Sequence, residues 1–208
     1  MGSIINGGTL KLAGDAAVQW YRTQDEAHQT IFTHSCIGGA IALIPIPVVG
    51  ELAVIANQIA MYRKLNQLTG VVFSKNVMKN IGKFVVSQVA GILGGVAVLF
   101  GLGAALKFIP GVNFAAGLLT ASTAGVANYV CGKVYYEMLG EFINKGGGGN
   151  LSDEEIIRRM KSEMPSEDRI KAMKSDAQRT MKGVNYASYK GQAQDCVNEA
   201  KQNSDLYR

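Results

Sequence analysis

The sequence predicts an all-α fold with two apolar helical hairpins, each closed by an Ile-Pro turn, and a small polar helical extension after them. The main observation is that 84–106 holds 23 consecutive uncharged residues and 112–131 holds 20. Only Lys107 and the turn at Pro110 and Gly111 separate the two stretches. As helices they would be roughly 35 and 30 Å long, against about 30 Å of hydrocarbon in a bilayer. Each stretch is therefore long enough for a membrane span.

An N-terminal region and a shorter hairpin precede this long hairpin. Residues 1–35 predict a polar arm and an amphipathic helix. The apolar segment 36–44 then stops at Pro45 and Pro47, because proline cannot continue a helix. A second helix is expected over about 49–65. This first hairpin either spans the membrane, lies at its interface, or packs against the longer hairpin.

Small residues recur at four-residue spacing on both limbs of the long hairpin. Such stripes let helix backbones approach closely, which is what drives helix association in lipid. We expect them to form contacts within the hairpin or between subunits. The residues proposed for helix packing are Gly91, Gly95, Gly101, Gly117, Ala121 and Gly125.

A basic block separates the two hairpins, and no acidic residue occurs between 62 and 84. Its members are Arg63, Lys64, Lys75, Lys79 and Lys83. Basic residues at the ends of apolar helices indicate the cytoplasmic side of a membrane and attract anionic lipid headgroups. We therefore predict that the block contacts the membrane surface, with the N-terminus, the 62–84 loop and the C-terminus cytoplasmic. The alternative is a solvated loop.

The chain beyond residue 145 is polar. Residues 36–145 are expected to form the membrane domain, 146–150 (GGGGN) a flexible linker, and 151–208 a polar helical extension. Ser152 and Glu155 form a capping box, and Ser166 is expected to cap another helix. The extension has too few large apolar residues for a core of its own, so it is either a soluble appendage or a docking segment.

No catalytic or cofactor motif is legible, so we predict a non-enzyme without cofactor or metal. Residues 1–150 carry 10 basic and 6 acidic side chains, so the positive charge belongs to the apolar part and not to a nucleic-acid-binding tail. The three cysteines have no CxxC spacing, which favours free thiols. His28, His34 and Cys36 lack a fourth ligand for a metal. Glu51 either caps the helix after Pro47 or serves as an ion or proton site.

Two runs of the sequence resemble the GTPase-associated membrane domain of unknown function that often follows Era-like or dynamin-like GTPase domains. In IPIPVVGELAVIANQIAMYRKLNQLTG the matching residues are Pro45, Pro47, Gln58, Met61 and Gly70. In KFIPGVNFAAGLLTASTAGVANYVCGKVYYEML they are Lys107, Ile109, Pro110, Gly111, Gly117, Tyr129 and Gly132. The resemblance covers about 36–142 and implies membrane insertion. This chain lacks a GTPase domain, and the acid usually found just after the double-proline turn is displaced to Glu51, so any GTPase would act in trans.

The sequence thus predicts an integral membrane anchor or scaffold, working as a homo-oligomer or with a GTPase or membrane-complex partner. One alternative is a soluble helical protein that inserts its 84–131 hairpin to form a pore. Another is an accessory subunit of a larger membrane complex.

Overall fold

The computed structural model describes residues 23–44, 49–93, 113–147 and 151–202, and these residues are helical with no strand. The first four helices are α1 (Gln24–Ile41), α2 (Val49–Thr69), α3 (Lys75–Ile92) and α4 (Asn113–Asn144). The C-terminal part contains α5 (Asp153–Ser162), α6 (Glu167–Thr180), a 3₁₀ helix (Tyr186–Tyr189) and α7 (Lys190–Gln202). The predicted all-α class is confirmed.

Helices α1 to α4 form an up-and-down four-helix bundle. Helix α1 packs on α2 and α4, and α3 packs on the same two helices from the other side. Pairs of contacts give the directions: Ile31 and Gly38 of α1 meet Gly132 and Asn128 of α4, and Tyr62 and Asn66 of α2 meet Gly82 and Met78 of α3. Phe73, just before α3, meets Phe142 near the end of α4. Each helix therefore runs opposite to the next along the chain.

Local sequence signals explain where several helices begin and end. The hydroxyls of Ser74, Ser152 and Ser166 accept hydrogen bonds from backbone N–H groups three residues on, at 3.1, 3.2 and 3.3 Å. The predicted caps at Ser152 and Ser166 are confirmed. Gly70 and Gly146 have φ of 73° and 74° and end α2 and α4 in the left-handed conformation that glycine adopts at little cost.

The centre of the bundle holds two stacked tyrosines. The rings of Tyr62 and Tyr135 lie 4.0 Å apart and 13° from parallel, and both side chains are fully buried. The Tyr135 hydroxyl donates to Asn66 Oδ1 at 2.8 Å, and Asn66 Nδ2 lies 3.5 Å from Met78 Sδ. Helices α2, α3 and α4 are therefore joined at one level by a polar chain inside an apolar core.

The C-terminal helices wrap around this bundle. Helix α5 packs on α3 and α4, α6 on α4, the 3₁₀ helix on α1, and α7 on α1 and α2. Their few large apolar side chains are buried in the same cluster as those of the bundle: Met160, Ile170, Met173, Met181 and Tyr186. The region predicted as a polar extension thus shares the core of the bundle.

The predicted long hairpin is only partly described. The described part of its first limb, 84–93, is the end of a helix that begins at Lys75, and its second limb continues past Cys131 to Asn144. Pro45, Pro47, Pro110 and Gly111 lie outside the described residues, so the Ile-Pro turns stay a prediction.

The tyrosine pair gives a stability test with a built-in control. Tyr135→Phe should lower the free energy of unfolding by about 1 kcal/mol or more, because Asn66 Oδ1 loses its donor in a buried site. Tyr62→Phe should be neutral or stabilising, since no described group bonds to the Tyr62 hydroxyl. Urea unfolding of both variants measures the difference, and equal losses would contradict the bonding pattern.

Candidate functional site

The predicted basic residues lie on α2 and α3. Arg63 and Lys64 are exposed near the end of α2, and Lys75, Lys79 and Lys83 follow one stripe of α3 at four-residue spacing. Helix α3 has a sharply divided surface, since its opposite side buries Val77, Met78, Ile81, Val85 and Val89. The amphipathic pattern therefore points the lysines away from the core. We call these five basic residues of α2 and α3 together the basic face.

No acidic residue interrupts the basic face from either helix. The sequence from 52 to 93, which includes almost all of α2 and α3, contains no Asp or Glu. Acidic side chains come from the C-terminal helices that pack on α2 and α3. In α5, Asp153 Oδ2 accepts from the Ser74 hydroxyl at 2.6 Å and from Asn76 Nδ2 at 3.4 Å, at the start of α3. Glu155 is bonded to Arg158 and Arg159 of its own helix.

The ends of four helices meet at one end of the bundle. Because neighbouring helices run in opposite directions, the end of α1, the start of α2, the end of α3 and the start of α4 lie together. We call this the apolar end, because the chain reaches the segments 45–48 (IPIP) and 94–112 from it. The loop 70–74 (GVVFS) is at the opposite end, where Val72 is 92% exposed.

The predicted packing residues have different surroundings. Gly91 is exposed, and a methyl group there would meet no described atom within 4 Å. Ala121 and Gly125 are buried on α4, facing α1 and the 3₁₀ helix. Gly95 and Gly101 lie outside the described residues, and Gly117 belongs to α4 in the part whose side-chain surroundings are not described.

Sequence reasoning missed the role of Tyr186. Its ring lies over Gly39 of α1, and its hydroxyl oxygen is 2.6 Å from where a Cβ of Gly125 would be. The ring fits between α1 and α4 because Gly39 and Gly125 have no side chains there. We call this space the Tyr186 notch. The small residues Gly38–Gly39, Ala121 and Gly125 could have indicated a close helix contact. Nothing in the sequence, however, indicates that a tyrosine so far along the chain packs against them.

Two histidines bridge helices through polar contacts. His34 Nδ1 donates to Asn57 Oδ1 at 2.8 Å, and Asn57 Nδ2 donates back to the His34 carbonyl at 2.9 Å. His28 Nε2 lies 3.2 Å from Lys133 Nζ and accepts from it. Burial lowers the pKa of both histidines, and the Lys133 ammonium adds to the effect at His28. Among the described residues no three His, Cys, Asp or Glu side chains come close enough to hold a metal.

The cysteines are free thiols in different environments. Cys36 and Cys131 are buried and Cys196 is half-buried. Burial raises the pKa of Cys131 to about 12 and that of Cys196 to about 11, so neither is a ready nucleophile at neutral pH.

Comparison with known proteins gives one relative. The chain is similar to Magnetosome membrane protein 22 of Magnetospirillum gryphiswaldense, with 31% identity over 109 residues. The match covers 50% of this chain and 54% of the relative, so the chain spans about half the length of the protein it matches. No protein-family model and no solved structure matches. Within the described residues, none of the helices combines the length and the apolar character needed to cross a bilayer.

The Tyr186 notch predicts opposite effects for two glycines that the sequence grouped together. Gly125→Ala should destabilise the fold by about 1–3 kcal/mol, because the new methyl displaces the tyrosine. Gly91→Ala should stabilise it by up to about 1 kcal/mol through helix propensity. In a Tyr186→Ala background, Gly125→Ala should lose its cost; thermal unfolding of the four variants measures this coupling. If the effects of Gly125→Ala and Tyr186→Ala on stability simply add, the contact between Gly125 and Tyr186 is contradicted.

The histidine pKa values predict a stability change in mild acid. Their folded-state pKa values lie below the usual value of 6.5, so the unfolded chain binds more protons just below that pH. Stability should therefore be complete above about pH 7 and fall as the pH drops through 6.5. In a His28→Gln, His34→Gln variant the urea midpoint should depend less on pH between 7 and 5. If the urea midpoint of the variant depends on pH as steeply as that of the parent, groups other than the two histidines control the pH dependence of stability.

Proposed function

We propose that this chain is a non-enzymatic, membrane-associated scaffold whose helical body brings the apolar segment 94–112 to a lipid bilayer. The observation that carries the proposal is the apolar end of the bundle. The chain enters and leaves 94–112 at that end, and it reaches the Ile-Pro segment 45–48 there too. Both apolar segments are therefore attached to the same end of the bundle, and the loop 70–74 lies at the other end.

The arrangement of the C-terminal helices supports the same proposal. Helices α5 to α7 pack on the sides of the bundle and present mostly exposed polar residues on their outer surfaces. The segment 94–112 contains Lys107 as its only charged residue. Moving apolar area from water into a bilayer is favourable by about 25 cal/mol per Å². The relative whose name describes a membrane protein is a further support.

The partners predicted from the sequence belong to the same proposal. A membrane scaffold acts through a second copy, a GTPase in trans or a larger membrane complex. The resemblance over 36–142 implies the GTPase, and the described contacts do not bear on the choice.

The test is flotation of the purified chain with neutral phosphatidylcholine vesicles, for which charge attraction is absent. Leu99→Asp places a charge in the middle of the apolar segment and should weaken vesicle binding about 100-fold, since a carboxylate near the bilayer centre costs about 3 kcal/mol. Circular dichroism should show the same helix content in both proteins.

Val72→Asp is the matched control, because it makes the same change at an exposed position at the opposite end. It should leave flotation unchanged. Equal effects of the two substitutions, or no flotation of the parent chain, would refute the proposal. Release of a dye trapped in the vesicles would support the pore alternative.

A further inference from the structure

We propose that Lys133 is a modification site, at which a thioester acylates the side-chain amine while His28 accepts the proton. The observation that carries this inference is the hydrogen bond from Lys133 Nζ to His28 Nε2 at 3.2 Å, which joins α4 to α1. A nucleophile and a base within hydrogen-bond distance are the arrangement that activates an amine for attack on a carbonyl group. The inference does not depend on the proposed function, since it needs no lipid.

The structure holds the two side chains together where a reagent can reach them. His28 is exposed and Lys133 is half-buried. Gly132, the residue before Lys133, lies directly under Ile31 where α1 and α4 approach closely, so the backbones beside the pair are fixed by packing. The edge of the Tyr136 ring faces the imidazole of His28, with 6.4 Å between ring centres and 72° between ring planes. The base is therefore supported on the side of α4 and open to solvent elsewhere.

Charged and titratable side chains from three helices face the pair. They are Asp25 of α1, Tyr136 and Glu137 of α4, and Arg169 and Asp176 of α6. Burial lowers the pKa of Lys133, and the Arg169 guanidinium adds to this effect, while the Glu137 and Asp176 carboxylates oppose it. Glu137 also forms an ion pair with Arg169, so its charge is shared between two cations. The lowered pKa of Lys133 increases the share of its neutral, nucleophilic amine.

These surroundings favour a thioester over other acyl donors. His28 serves as a base, so the site favours a leaving group that departs without taking a proton. A thiolate can do so because the pKa of a thiol is about 8.5, whereas an alkoxide or an amide ion cannot. An acyl phosphate also has a good leaving group, but its negative charge would meet Asp25 and Asp176 beside the pair. An uncharged thioester meets no such repulsion.

The step transfers one acyl group from sulfur to nitrogen. Lys133 first loses one proton to solvent, and the lone pair of the neutral amine attacks the carbonyl carbon of the thioester. The C–N bond forms, the C–S bond breaks, and the electron pair of the C–S bond leaves on sulfur as a thiolate. His28 Nε2 takes the second proton from the nitrogen and passes it to the thiolate. The products are an N-acylated Lys133 and a free thiol.

The experiment treats the full chain with S-acetyl-N-acetylcysteamine, an uncharged thioester, and follows acetylation of each lysine by peptide mass spectrometry. In the folded chain Lys133 should react on the order of 10-fold faster than Lys182, which is exposed in the turn after α6. In urea the two lysines should react at equal rates. His28→Gln should remove most of the advantage of Lys133, because glutamine accepts a hydrogen bond but does not act as a base.

His34→Gln is the matched control, because it changes the other histidine of α1, whose partner is Asn57. It should leave the ratio of the Lys133 rate to the Lys182 rate unchanged. The same ratio distinguishes a base from a merely structural role of His28. Burial and the Lys133 cation hold the pKa of His28 below 6.5, so the ratio should stay level while His28 is neutral and fall as the pH drops below 6.5. In His28→Gln it should not change with pH.

The proposal is overturned if Lys133 reacts no faster than Lys182 in the folded chain. It is also overturned if His28→Gln leaves the ratio and its pH dependence unchanged, or if His34→Gln lowers the ratio as much as His28→Gln does. If acetyl phosphate favours Lys133 over Lys182 more strongly than the thioester does, the assignment of a thioester as the acyl donor is wrong.

Discussion

The close approach of α1 and α4 is the contact on which the rest of the structure depends. Side chains are absent where the two helices cross: Ile31 and Met61 pack over Gly132, and Asn128 lies against Gly38. Adding a methyl at either glycine would bring it within 3 Å of a neighbouring side chain. Small residues at this crossing let large side chains of the neighbouring helices reach the centre of the bundle. The core is therefore filled by large side chains that fit against small ones on the facing helix.

The same contact explains why a polar C-terminal region folds at all. Helix α7 buries only Ala193, Val197 and Ala200, too little apolar surface to hold it alone. Tyr186 just before it fills the notch at Gly39 and Gly125, and Met181 reaches the same place. One aromatic anchor thus fixes the position of a helix whose own face is weak. The polar helices cover the sides of the bundle, and they leave the apolar end and the basic face as the surfaces with unusual composition.

The sequence predicted the helical class, the helix after Pro47 and the serine caps, because each depends on signals within a few residues. It identified Ala121 and Gly125 as packing residues but assigned them to hairpin or subunit contacts. Their actual neighbours, Gly39 and Tyr186, are far apart in the chain, and local spacing cannot specify which helix faces a stripe. It also separated 151–208 as an extension, because composition alone does not show that scattered methionines and one tyrosine can complete a core formed by other helices.

For the basic residues the sequence pattern was already informative, and the structure adds which helices carry them. As a loop, 62–84 would hold five charges in no fixed arrangement. In the structure Arg63 and Lys64 end one helix and the three lysines form a stripe on the next, so the same residues make a surface. Electrostatic attraction alone is weakened by salt, and a short apolar segment alone binds a bilayer reversibly. Stable attachment usually takes two such signals together. In the proposed function, the basic residues and the apolar segment would supply both signals, because binding through one contact would bring the other within reach at high effective concentration.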